Sequence, residues 1–81
     1  MARYYLHFFN EDGELHDGEG FVAPDKVAAC DIGLRAAGEI IAAEIANRLC
    51  DVTFTLRLDD ENGRRLATIP VRASVPIHLT A

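Results

Sequence analysis

Along the chain, apolar and polar residues first alternate with period 2, then recur with a helical period, then alternate again. In "RYYLHFF" (Arg3 to Phe9), Tyr4, Leu6 and Phe8 point one way while Tyr5, His7 and Phe9 point the other. The even-numbered set is apolar apart from one hydroxyl, which assigns it to the core. "NEDG" is turn chemistry. A short return strand is expected around Glu14 to His16, and Phe21 and Val22 form a further extended piece after "DGEG". In "DVTFTLRL", Val52, Phe54, Leu56 and Leu58 alternate with Thr53, Thr55 and Arg57, the mark of a sheet with one covered face. Asn62-Gly63 predicts a second hairpin, returning from Arg65 to about Val71. Pro70 cannot donate to a ladder, so this last strand ends there or lies on an edge.

Between the hairpins the pattern predicts one helix from about residue 25 to 49. Pro24 suits its first turn and Asp25 its N-terminal cap. The helix shows two apolar stripes. Val27, Cys30, Leu34, Ala37, Ile41 and Ile45 carry the larger side chains and are assigned to the sheet, with Gly38 on the same side. Ala29, Gly33, Ala36, Ile40 and Ala43, with Ile32 beside them, alternate four and three residues like a heptad seam. Helix propensity explains the alanines but not the isoleucines, nor Gly33 in a helix interior. This second stripe is therefore assigned to a partner helix, which makes the protein a homodimer joined through its helices, with cover by the apolar tail around Val75 to Leu79 as the alternative. The expected architecture is α+β: an antiparallel sheet of two hairpins in ββαββ order with one long helix packed across one face.

Length reinforces the expectation of self-association. The chain has 81 residues and is read as one domain, with a core over about residues 2–71 and a C-terminal tail over 72–81. A chain this short buries only about 60–65% of its unfolded surface, so its stability margin is thin. The net charge of −5, concentrated at Glu11, Asp12, Glu14, Asp17 and Glu19 and again at Asp59, Asp60 and Glu61, excludes a nucleic-acid partner. Both acidic groups are read as solvated turns. No apolar run is long enough for a membrane span, and the N-terminus is not a signal peptide, which points to the cytoplasm. Cys30 and Cys50 fit a reducing compartment: near opposite ends of one helix they lie roughly 30 Å apart.

The opening "RYYLHF", then "DGEG" at Asp17 to Gly20, then "PDKVAA" at Pro24 to Ala29, and the closing "DENGRRLATIPV" carry a likeness to known sequences. In this order and spacing the chain resembles a family of short alphaproteobacterial proteins defined as a domain of unknown function, over roughly residues 2–71. The resemblance implies a bacterial cytosolic protein; it carries no activity and transfers no functional residues.

Candidate chemistry is confined to the first hairpin. If its loop is Asn10 to Gly13, Phe9 faces Glu14 and His7 faces His16, about 5 Å apart at Cβ and with Asp17 adjacent. His7, His16 and Asp17 are the weak candidates for a metal or small-ligand site, against a reading of His7 as a packing strand histidine. A closed metal site wants more ligands, and the loop lacks calcium-loop spacing. Ser74 is the only serine, Cys30 points at the core, and "DGEG" lacks the phosphate-loop lysine. The sequence thus predicts no enzyme, no cofactor and no bound metal. It predicts a small homodimeric interaction or regulatory module, with a ligand-binding first hairpin as the alternative.

Overall fold

A computed structural model describes residues 1–80; the end of the predicted tail, Ala81, lies outside the described residues. The elements are β1 (Ala2–Asn10), β2 (Gly13–Leu15), β3 (Phe21–Ala23), α1 (Lys26–Ala46), β4 (Asp51–Asp60) and β5 (Arg65–Ser74). The predicted α+β class holds, as does the order of hairpin, helix and hairpin, with the extended piece after "DGEG" paired as a third strand ahead of the helix. All strands join one antiparallel sheet in the order β2-β1-β4-β5, with β3 pairing the same edge of β1 as β2 does. Alternation works as the period-2 pattern requires. Tyr4, Val52, Phe54, Leu56 and Leu58 are buried on the face that α1 covers. Among the described residues no helix is long and apolar enough to cross a membrane.

The orientation of α1 corrects the assignment of its stripes in part: Cys30, Ala37, Ile41 and Ile45 of the stripe assigned to the sheet do pack on the core, but residues of the other stripe pack there too. Its buried residues are Ala29, Gly33 and Ala37; the first two belong to the stripe assigned to a partner helix, which therefore faces the chain's own sheet. A Cβ on Gly33 would sit 3.3 Å from Ile69 Cδ1 and 3.5 Å from Leu6 Cδ1. Ile40 packs on the same core, and Ala36 is half-buried. Only Ile32 and Ala43 of that stripe stay exposed. Of the stripe assigned to the sheet, Val27 is 65% and Leu34 59% exposed. The physical reason is volume. The sheet supplies large side chains (Tyr4, Leu6, Phe54, Leu56, Leu58, Ile69), so the helix comes closest where it meets them with small ones, while Ile40, Ile41 and Ile45 pack on the core nearer its C-terminal end. The helix touches β3 on one edge of the sheet and β5 on the other, so it crosses obliquely.

The ends of α1 are set by local chemistry. Asp25 caps it, its carboxylate accepting from Ala28 N–H at 2.9 Å. The helix stops at Ala46, short of the expected Leu49. Arg48 N–H donates to Ile45 O and Leu49 N–H to Glu44 O, with Arg48 at φ +69. This is a Schellman motif whose left-handed position holds arginine instead of glycine. A left-handed residue with a Cβ costs about 1–2 kcal/mol. Arg48→Gly is expected to stabilise the fold by about 1 kcal/mol, read as a rise in the urea midpoint with an unchanged slope; a lower midpoint would contradict the capping role of this turn.

The last strand runs through Pro70 to Ser74 on a free edge, settling the two alternatives that the proline left open. Val75 N–H donates to Cys50 O at 2.8 Å. With that bond fixing the alternation, the Thr55/Pro70 pair falls at a non-hydrogen-bonded position, and the proline nitrogen faces the free edge. An incoming strand finds no donor there, which guards the edge against indiscriminate pairing. Beyond Ser74 the tail leaves the body: Ile77 is 69% and Leu79 94% exposed.

Candidate functional site

The sheet face that α1 leaves uncovered carries a polar cluster centred on Asp59. Three local devices assemble it. The first is the register of the first hairpin, Phe9↔Glu14 and Phe8↔Leu15, which continues to His7 opposite His16. Their ring centroids stand 4.9 Å apart, edge to face. The second is a β-bulge at Leu58/Asp59, which pairs Asp59 with Arg65 where regular pairing would set Leu66. The bulge turns Leu66 toward the core and brings the guanidinium of Arg65 onto the carboxylate. It follows a turn in which Asp60 Oδ1 accepts from Asn62 and Arg64 N–H, both at 2.9 Å, with Gly63 at φ +79.

The third device is Asp17. Strand β2 ends at Leu15 and β3 starts at Phe21, so the middle of β1 has no strand neighbour on that edge. The Asp17 carboxylate fills the gap, accepting from Leu6 N–H at 3.1 Å, Gly20 N–H at 2.8 Å and Glu19 N–H at 3.2 Å. Burial raises its pKa, but these backbone donors outweigh it and hold the carboxyl below its usual range. Gly20 is obligatory here. It sits at φ +71, and a Cβ would meet Tyr4 O at 2.6 Å and the Tyr5 ring at 2.9 Å.

His7 joins the two halves. Its Nδ1 accepts from Asp17 N–H at 3.0 Å, and its Nε2 lies 3.2 Å from Asp59 Oδ2. The proton therefore resides on Nε2 and the lone pair on Nδ1 is already used. Asp59, 9% exposed, is held below the usual carboxylate range first by the hydrogen bond from Arg65, against the opposing effect of burial, and further by His7. Beside this cluster the Arg57 guanidinium lies 3.8 Å above the Phe9 ring.

His7, His16 and Asp17, the weak candidates for a metal or small-ligand site, are thus brought together, with their polar atoms engaged by partners within the fold. His7 has no nitrogen free, Asp17 spends both oxygens on backbone donors, and His16 is an exposed residue paired with Glu14. Among the described residues no group of three or more His, Cys, Asp and Glu side chains is placed to hold a metal ion. The arrangement fastens the loop between β2 and β3 onto the sheet. Asp59, read as part of a solvated turn, proves to be a buried strand residue at the centre of the cluster. Its signal was present in the alternation: Thr53, Thr55 and Arg57 extend by the same period to Asp59, on the face of His7.

With this geometry defined, a family model matches residues 3–72. The chain belongs to the family described as Domain of unknown function (DUF6894). The DUF6894 match takes in both hairpins, the helix and all members of the Asp59 cluster, and stops before the exposed tail. No curated protein and no solved structure matches the chain.

Proposed function

We propose that this protein is a small non-enzymatic interaction module that works as a homodimer in the bacterial cytosol. The observation that carries the reading is its surface. One copy exposes 5907 Å², about 1,100 Å² more than the roughly 4,800 Å² of a compact monomer of 8.9 kDa. Its radius of gyration of 14.8 Å exceeds the roughly 12 Å expected of a compact chain of this length. Much of the excess is apolar: Val27, Leu34, Leu49, Ile77 and Leu79 are each at least half exposed. The excess is of the size one partner contributes to a standard interface, about 800 Å². The small-residue seam is spent on the sheet, so the apolar surface left for a second copy lies elsewhere. The polar cluster supports a non-enzymatic role, because its titratable groups are consumed by bonds within the fold. Two free thiols, Cys30 and Cys50, support a reducing cytosol. Sedimentation equilibrium of the purified chain should give the mass of a dimer at micromolar concentration. A monomer at high micromolar concentration would refute the proposal.

A further inference from the structure

The oblique helix leaves a corner of the sheet open. There a groove of about 520 Å³ runs between the tip of the first hairpin, the C-terminal half of α1 and the start of β4. Its floor includes Phe8, Ile40 and Phe54, with Leu49 at one side. Glu11, Asp12, Glu44 and Asp51 also line it, and no lysine or arginine does. The tail leaves the sheet at the same end, since Ser74 pairs with Asp51 and Val75 bonds to Cys50 O.

We infer that the C-terminal tail of one copy, Val75 to Leu79, occupies this groove on a second copy, and that the exchange is reciprocal. The inference rests on the homodimer reading and names its contact. Three observations select this occupant. Ile77 and Leu79 are the apolar anchors, 69% and 94% exposed and without cover in their own chain. From Val75 to Thr80 the segment carries no acidic residue, and His78 offers a ring N–H to a groove lined by acids and no lysine or arginine. The surface in excess of a compact monomer matches what a stable dimer needs from each partner. The copy's own groove is the less accessible one. The bond from Val75 to Cys50 O aims the chain onward along β5, and Pro76 keeps Val75 extended. A twofold arrangement lets each tail, about 20 Å of extended chain from Val75 to Thr80, reach across to the other copy. Pro70, by blocking the β5 edge, leaves the tail as the part of this strand free to engage a neighbour.

The test uses the full chain in sedimentation equilibrium, comparing wild type with Ile77→Asp, with Leu79→Asp, with the groove variant Asp51→Lys, and with Asp51→Lys combined with His78→Asp. Each single change should weaken dimerisation at least tenfold while leaving the circular dichroism spectrum unchanged. The double variant, which sets a carboxylate at position 78 against the introduced ammonium at position 51, should recover part of the loss. A dimer unaffected by both tail substitutions would overturn tail exchange and leave the homodimer standing. A wild type that is monomeric overturns both.

Discussion

Asp59→Asn is expected to lower stability by about 2–3 kcal/mol, the cost of unsatisfying charge-assisted hydrogen bonds in a site nearly closed to water. The carboxylate accepts from two donors, His7 Nε2–H and Arg65 Nε–H. An amide in its place offers one oxygen and turns its NH₂ toward a group that also donates. In a domain this small the loss corresponds to a fall of roughly 10–20 °C in melting temperature. The pH dependence follows from the depressed pKa values of Asp59 and Asp17. Both carboxyls ionise more readily in the folded chain than in the unfolded one. Their contribution is fully present above the unfolded aspartate value near 4. It is lost as pH falls below that value and through the lower folded-state pKa. Thermal unfolding of the wild type between pH 6 and pH 2 should show this decline, and Asp59→Asn should flatten it. A wild type whose melting temperature does not change over that range would show that neither carboxylate is held as described.

Gly33→Leu should destabilise by about 2–3 kcal/mol, and the sign of this effect separates two placements of the helix. On a free surface, replacing an interior helical glycine by leucine would stabilise by close to 1 kcal/mol through propensity alone. Against the sheet, the added side chain enters space that Ile69 and Leu6 already fill at 3.3 and 3.5 Å from the Cβ position. The helix must then rise from the sheet or its neighbours must leave their rotamers. Gly33→Ala tests the same site more gently. The tight approach is to the tip of a flexible isoleucine, so its cost and the propensity gain nearly cancel, and a change under about 1 kcal/mol is expected. Urea titrations of the two variants measure both; a stabilised Gly33→Leu protein would place this face in solvent.

The candidate site was half legible in the sequence. Turn chemistry in "NEDG" and strand alternation are local and predict the hairpin, but the register that sets His7 opposite His16 hung on the loop length, which the pairing of Asn10 with Gly13 decides. The role of His7 is not local. It depends on Asp59, far along the chain on β4, and on a bulge that shifts Arg65 by one position. No local pattern distinguishes a bulged hairpin that tucks Leu66 inward from a regular one that would expose it. Asp17 was singled out for its neighbour His16, yet its carboxylate serves the amide of Leu6, unpaired because β2 and β3 leave a gap along β1.

What the sequence by itself determined is everything governed by backbone periodicity and short-range turn or cap chemistry. That covers the two hairpins, the single helix and its Asp25 cap, the inward set Val52, Phe54, Leu56 and Leu58, and the α+β class. What only the tertiary structure decided is which residues of the two apolar stripes of α1 meet the sheet: Ala29, Gly33 and Ile40 from one, and Cys30, Ala37, Ile41 and Ile45 from the other. Hydrophobicity counts both stripes as apolar and favours the one with larger side chains. Packing instead conserves volume across the interface: where the sheet presents Phe54, Leu56 and Leu58, the helix fits closest through Ala29, Gly33 and Ala37. That choice depends on the sizes of side chains on two elements at once, and it leaves Val27 and Leu34 facing water on an otherwise well-formed fold.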